Sequence, residues 1–89
     1  MAAVRNPGVV YRPLADEGGV LLHLETGSYH GLNPTGALIW SLLDGARDTT
    51  AVAGALRAEC TDVPDDLEDA VGRFLADLAA RGLVADSGM

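Results

Sequence analysis

One run in the first half of the chain, GVLLHLETGSYHGLNPTGALIWSLLDG (residues 19–45), constrains the fold more than any other segment. Its beginning is nearly continuous in apolar residues, which favours a central β-strand over residues 20–25. Thr26 and Gly27 fit a two-residue hairpin turn, because glycine supplies the positive φ that such a turn needs. Residues 28–32 form the returning strand, which is short and almost uncharged. No residue of the run looks chemically reactive, so the run indicates a protein that holds another chain.

The pairing across this hairpin predicts which side chains share a face of the sheet. With Thr26 and Gly27 as the turn, Leu24 faces Tyr29, and His23 faces His30. We expect the core face to be the more apolar of the two. Its members are Val20, Leu22, Leu24 and Tyr29. The opposite face carries Leu21, His23, His30 and Leu32.

The first predicted helix follows the hairpin directly. Asn33 is its cap, and Pro34 occupies the first turn, where a missing N–H costs nothing. The helix is expected to end at Asp44 and Gly45. Trp40 flanks its buried stripe as a structural residue. The stripe itself consists of Leu38, Ile39, Leu42 and Leu43.

Two further helices are predicted, one from about residue 50 to residue 60 and one over residues 64–81. Asp62 is the expected cap of the last helix, and the acidic residues after it suit a helix N-terminus, where the dipole favours anions. Arg81 and Gly82 mark its end by a cation and a left-handed residue. Its apolar positions recur at helical spacing: Leu67, Val71, Phe74, Leu75 and Leu78.

The order of elements predicts one α+β domain in which a three-stranded antiparallel sheet is followed by three helices. The first strand is residues 9–13. We expect residues 1–8 to form a flexible N-terminal arm, residues 9–84 to form the domain, and residues 85–89 to form a frayed tail.

Charge and composition argue against several classes of function. The chain of 89 residues has six arginines, no lysine and thirteen carboxylates, which give a net charge of −7. Such a surface repels phosphate backbones, so nucleic acid is not an expected partner. No segment approaches the roughly 18 consecutive apolar residues of a membrane span, and no signal peptide is visible, so we expect a cytoplasmic protein with no membrane partner.

The segments GVLLHLETGSYHGLN and TGALIWSLLDG, together with the last helix and ARGLV, resemble the PqqD-like family. These are the precursor-peptide recognition elements of ribosomal peptide natural-product pathways. The resemblance covers roughly residues 9–84. Its most specific residues are Gly27, Tyr29, Leu32, Asn33, Thr35, Gly36, Ile39 and Trp40.

This resemblance implies a winged helix-turn-helix-like fold and a non-catalytic adaptor that needs no cofactor. In the family, the leader segment of a precursor peptide adds as a strand beside the third strand and lies against the third helix. The strand side of the implied peptide-binding site is Gly27, Ser28, Tyr29, His30, Gly31 and Leu32. The helix side is Ala70, Arg73, Phe74, Asp77 and Leu78.

The resemblance also implies the partners. Stand-alone members serve lasso-peptide or PQQ biosynthesis, and we expect a role in lasso-peptide maturation beside a leader peptidase and a cyclase. The alternatives are a PQQ-type peptide carrier for a radical enzyme and, from another class, a small winged-helix DNA-binding regulator. The oligomeric state stays open, because an edge strand can also pair with its own copy.

Three reactive-looking features have ordinary interpretations. His23 and His30 could supply two metal ligands across the hairpin, but no acidic or cysteine ligand stands beside them, so no metal site is predicted. Cys60 is the single cysteine and has no visible base, so we interpret it as a half-buried thiol. Arg73 and Asp77 are one helical turn apart and could pair with each other at the rim of the peptide site.

Overall fold

A computed structural model describes residues 3–15, 18–59 and 63–86. In chain order, the elements within these residues are β1 (Ala3–Arg5), β2 (Val9–Pro13), β3 (Gly19–His23), β4 (Ser28–Leu32), α1 (Pro34–Ser41), α2 (Thr49–Glu59), α3 (Leu67–Ala80) and β5 (Val84–Asp86). The predicted α+β class, with an antiparallel sheet and three helices, is confirmed. None of the three helices is long and apolar enough to cross a membrane in the part of the chain that is described.

Strands β2, β3 and β4 form an antiparallel sheet in that order, which leaves β4 at one edge. The predicted register across the β3–β4 hairpin is wrong by two residues, because His23 pairs with Ser28 and Leu22 with Tyr29. The connection has four residues rather than two. Gly27, at φ +73°, closes it by donating its N–H to the carbonyl oxygen of His23 at 2.7 Å. A slip of two residues leaves every side chain on its predicted face.

The face predicted to form the core is nevertheless the wrong one. Leu21 is fully buried and His23 and Leu32 are nearly so, whereas Leu24 and Tyr29 are 58% and 72% exposed. The helices cover only the face that carries Leu21. The hairpin sequence could not reveal this choice, because both faces carry apolar side chains and alternation alone does not say which face the helices cover.

The ends of the chain also differ from the prediction. β1 and β5 pair with each other as a second, two-stranded antiparallel sheet, so residues 3–5 are not a free arm and residues 85–86 are not a free tail. Asn6 adds to this contact by donating its backbone N–H to Leu83 O at 3.0 Å and its side-chain amide to Gly82 O at 2.9 Å. Ala3, Leu83 and Val84 are buried, which explains why the two ends associate.

Helix α1 begins as predicted and ends early. The side-chain oxygen of Asn33 accepts a hydrogen bond from the N–H of Gly36 at 2.7 Å, and Pro34 is the first helical residue. The helix ends at Ser41 rather than at Asp44–Gly45. Trp40 is buried as a structural residue, and the buried positions in and after the helix are Gly36, Ile39, Trp40 and Leu43, while Leu38 and Leu42 are only half-buried.

Helices α2 and α3 complete the core. Val52, Ala53 and Leu56 of α2 pack with the buried positions of α3, which are Leu67, Val71, Leu75 and Leu78. Helix α3 begins at Leu67, later than the predicted residue 64. The predicted cap Asp62 and the predicted half-buried thiol Cys60 lie outside the described residues. Gly82 follows α3 at φ +74°, as the sequence predicts for a C-terminal cap.

Candidate functional site

The backbone groups of β3 alternate between its two neighbouring strands. Hydrogen bonds from Leu14 N to Gly18 O (3.0 Å) and from Leu24 N to Gly8 O (2.9 Å) continue the β2–β3 ladder beyond both of its ends. Gly18 and Leu24, which make these two bonds, are both even-numbered. Because the direction alternates along a strand, the even-numbered residues of β3 also direct their N–H and C=O groups to β2. The odd-numbered residues therefore direct theirs to β4.

This alternation decides which groups β4 presents at its outer edge. Ser28, His30 and Leu32 lie opposite the odd-numbered residues of β3, so their backbone groups point into the sheet. The N–H and C=O groups of Tyr29 and Gly31 consequently point outward. Among the described residues no further strand pairs with β4. The edge is therefore open to an extended peptide, which could satisfy these groups by pairing.

A groove of about 300 Å³ runs beside this edge, between β4 and the C-terminal half of α3. We call it the β4–α3 groove. Leu32, Phe74 and Leu78 give it an apolar floor, and Asp77 gives it a charged rim. Its full lining is Tyr29, His30, Gly31, Leu32, Phe74, Asp77, Leu78, Arg81 and Leu83.

The charged rim differs from the predicted one. Asp77 does not pair with Arg73; instead its Oδ2 accepts a hydrogen bond from Nε of Arg81 at 3.0 Å. Arg73 points elsewhere, with its guanidinium 3.7 Å from the carboxylate of Asp66. Both pairs are more than half exposed, so each contributes at most about 1 kcal/mol to stability. A bound peptide can therefore recruit Asp77 or Arg81 at little cost.

The structure brings together most of the predicted site but not all of it. Ser28 lies on β4 without lining the groove, Gly27 lies in the turn before it, and Ala70 lines a separate pocket nearer the start of α3. Arg81 and Leu83 line the groove without having been predicted. Helical spacing could have found Arg81, because this residue caps the end of α3 four residues after Asp77.

The two histidines have different environments. His30 is half-buried and lines the β4–α3 groove, whereas His23 is 6% exposed and its Nδ1 has no hydrogen-bond partner among the described residues. No cluster of three or more metal-ligating side chains occurs in residues 3–15, 18–59 and 63–86. His30 therefore faces the β4–α3 groove, while His23 is a core residue.

Known proteins give independent information on this chain. The family described as coenzyme PQQ synthesis protein D (PqqD) matches residues 18–84. No curated protein matches the chain.

Two solved structures are similar over nearly the whole length. One is TbiB1 in complex with the TbiA(beta) leader peptide, which is 34% identical, with 91% of this chain and 93% of that chain covered and a TM-score of 0.77. The other is lasso peptide synthetase B1 complexed with the leader peptide, at 28% identity, 96% and 99% coverage and a TM-score of 0.79. The match over residues 18–84 spans both the open strand edge and the groove beside it, and this chain belongs to the PqqD family.

Proposed function

We propose that the chain is a non-catalytic adaptor that binds the leader segment of a ribosomally made precursor peptide by strand addition to β4. The observation that carries the proposal is the open edge formed by the backbone of Tyr29 and Gly31, with the β4–α3 groove directly beside it. The two similar structures, which were solved with leader peptides, support the same mode. Main-chain hydrogen bonds would supply affinity and the groove would supply specificity.

The pleat of the sheet determines which side chains of such a peptide would point into the groove. A residue of the added strand opposite His30 or Leu32 shares their face and points into the β4–α3 groove. A residue opposite Tyr29 or Gly31 points to the other face of the sheet. Alternate side chains of the leader are therefore selected by the apolar floor and charged rim of the groove.

The adaptor would act by raising effective concentration. A bound leader holds the rest of the precursor near the active site of a processing enzyme without any new contact to the modified residues. We assign the role to lasso-peptide maturation, with a separate leader peptidase and a cyclase as partners, in the cytoplasm where the precursor is made. The similarity to lasso peptide synthetase B1 supports this assignment.

A PQQ-type peptide carrier is the second candidate, because the matching family is described by PQQ synthesis. The two candidates share the binding mode and differ in the precursor and the enzyme that receives it. Reconstitution with each set of enzymes separates them: a lasso adaptor accelerates leader removal by the peptidase, and a PQQ carrier supports the radical enzyme instead.

The binding step is tested by fluorescence polarisation with the fluorescein-labelled leader of a precursor found by sequencing the open reading frames that neighbour the gene of this chain. We expect a dissociation constant near micromolar or tighter, which suits repeated loading and release. A scrambled leader of the same composition is the control and should not bind. Equal polarisation with both peptides would refute leader recognition.

A further inference from the structure

The β4–α3 groove combines an apolar floor with a charged rim. Leu32, Phe74 and Leu78 form the floor, and the rim carries one ion pair, that of Asp77 and Arg81. No other carboxylate or guanidinium belongs to the lining, as far as the structure describes it. A side chain with a long apolar stem and a charged head matches such a groove, because the stem covers the floor while the head stays at the rim. Lysine and arginine have this shape.

The charge around the rim favours a cation in the incoming peptide. Asp77 lies in the last turn of α3, where the end of the helix dipole is negative. The chain as a whole carries a net charge of −7. The carboxylate of Asp77 also has room for a second donor. Its Oδ2 accepts from Nε of Arg81 at 3.0 Å, and its Oδ1 accepts no hydrogen bond within the described part of the chain.

Arg81 already lies beside Asp77, where a cation of the peptide would have to lie. The two side chains are 52% and 58% exposed, so the pair stabilises the fold by at most about 1 kcal/mol. Arg81 caps the end of α3, so its charge stays near the negative end of the dipole even when its head group turns to solvent. A peptide cation can therefore replace it easily, and the stem of that side chain buries apolar surface against the floor.

The geometry also indicates which residue of an added strand reaches Asp77. Phe74 and Leu32 meet at one end of the groove, since a Cβ built on Gly36 would stand 3.3 Å from Cζ of Phe74 and 3.6 Å from Cδ2 of Leu32. Asp77 lies three residues beyond Phe74, a rise of about 4.5 Å along the helix. Side chains on one face of a strand recur about every 6.6 Å, so Asp77 lies closer to the level of His30 than to that of Leu32.

We propose that Asp77 selects a lysine or arginine of the bound peptide at the position opposite His30, and that Arg81 competes with this residue for Asp77 in the free protein. The inference rests on the proposed function, since it needs a peptide added to β4. It makes Asp77 a specificity-determining residue. It also gives the two members of the ion pair opposite effects on binding, which a purely structural pair would not have.

The first test uses a display library of random 12-residue peptides, selected separately on the wild-type protein and on three variants. Asp77→Asn removes the negative charge at nearly constant volume. Asp69→Asn is its matched control, because Asp69 is exposed on α3 outside the groove. Asp77→Arg reverses the charge at the rim. Circular dichroism verifies that each variant is folded.

We expect the wild type and Asp69→Asn to enrich a basic residue at an even spacing from an apolar, groove-binding position. Asp77→Asn should lose this preference about fivefold, and Asp77→Arg should prefer aspartate or glutamate there. A consensus without a basic position, or the same basic position in all four selections, would overturn the inference. If the wild type enriches no peptide, the proposed function itself fails, so the two failures are distinguishable.

The second test measures dissociation constants by fluorescence polarisation. The probes are one selected peptide and a copy in which methionine replaces its basic residue, which keeps an apolar stem and removes the charge. The wild type should bind the basic peptide about fivefold more tightly than the copy, and Asp77→Asn should bind the two within about twofold.

The competing role of Arg81 is tested with the same basic peptide. Arg81→Gln should bind it at least as tightly as the wild type does, because the internal competitor is gone. Arg73→Gln is the matched control, since Arg73 pairs with Asp66 outside the groove. If Arg81→Gln weakens binding as much as Asp77→Asn does, Arg81 supports the peptide instead of competing with it, and the inference is wrong.

Discussion

The ring of His23 in β3 lies close to Gly82, which follows Arg81 after the end of α3: a Cβ built on Gly82 would lie 3.4 Å from Nε2 of His23. His23 is 6% exposed, and its Nδ1 has no hydrogen-bond partner among the described residues. The contact joins the hairpin to the turn that leads from α3 to β5. The polar ring of His23 is therefore buried with one of its two nitrogens, Nδ1, lacking a hydrogen bond within the described part of the chain.

Replacing His23 by leucine should stabilise the protein. The substitution removes a buried polar atom that lacks a hydrogen-bond partner and puts an apolar side chain of similar size in its place. We expect the free energy of unfolding in urea to rise by about 1 kcal/mol. His30→Leu, on the same face but half-buried, is the control and should change it by less than about 0.5 kcal/mol. A loss of stability in His23→Leu would mean that Nδ1 has a partner in solution.

The backbone conformation at residue 82 requires glycine. At φ +74°, an alanine there should lower the free energy of unfolding by about 1–2 kcal/mol. Gly54 offers the matched opposite case, since it is exposed in α2 and a Cβ there meets nothing within 4 Å. Gly54→Ala should raise stability by about 0.5–1 kcal/mol. Equal effects of the two substitutions in denaturant unfolding would contradict this account.

The cap of α1 is a further testable contact. Asn33→Ala removes the oxygen that accepts from Gly36 N–H at 2.7 Å, and we expect a loss of about 1 kcal/mol in the free energy of unfolding. Asn33→Asp keeps the acceptor and should retain most of the stability. Should both variants lose the same amount, the side-chain cap would not be the cause.

Asp44 lies in the loop after α1, and we expect its contribution to the stability of the fold to depend on pH. The N–H of Ala46, with a smaller effect of Arg47, lowers the pKa of this carboxyl from its ordinary value of 3.8. A carboxyl with a lowered pKa stabilises the fold above its ordinary pKa and loses that contribution as the pH falls through the lower folded value. Asp44→Asn should therefore be less stable than the wild type at neutral pH, and the difference in thermal unfolding should shrink as the pH falls below 3.8. A difference that is constant with pH would argue against this role.

Local signals predicted the elements that the structure confirms. The strand over residues 28–32, the cap at Asn33 and the left-handed glycine at Gly82 depend on neighbours in sequence, so single-sequence reasoning could reach them. The groove residues Phe74, Asp77 and Leu78 were expected from the family resemblance, and the structure places all three in the lining of the β4–α3 groove.

Features that depend on residues distant in sequence were not predicted from the sequence. The core face of the hairpin is decided by the helices that cover Leu21, not by the hairpin itself. The pairing of Ala3–Arg5 with Val84–Asp86 joins two segments too short to show a periodic pattern. The place of Arg73 beside Asp66, outside the groove, was not predicted either.

The central claim is that a leader peptide pairs with the outward backbone of Gly31, and proline at that position tests it most directly. Gly31 is exposed, a Cβ on it would meet nothing within 4 Å, and its N–H points away from β3. Gly31→Pro therefore removes an edge donor without breaking the β3–β4 ladder, whereas Gly31→Ala keeps that donor.

The measurement is the dissociation constant of the cognate leader for both variants by fluorescence polarisation, with circular dichroism to verify that each is folded. We expect Gly31→Ala to bind like the wild type and folded Gly31→Pro to bind at least about tenfold more weakly, which corresponds to about 1.4 kcal/mol. Equal affinity of the two folded variants would contradict strand addition at β4.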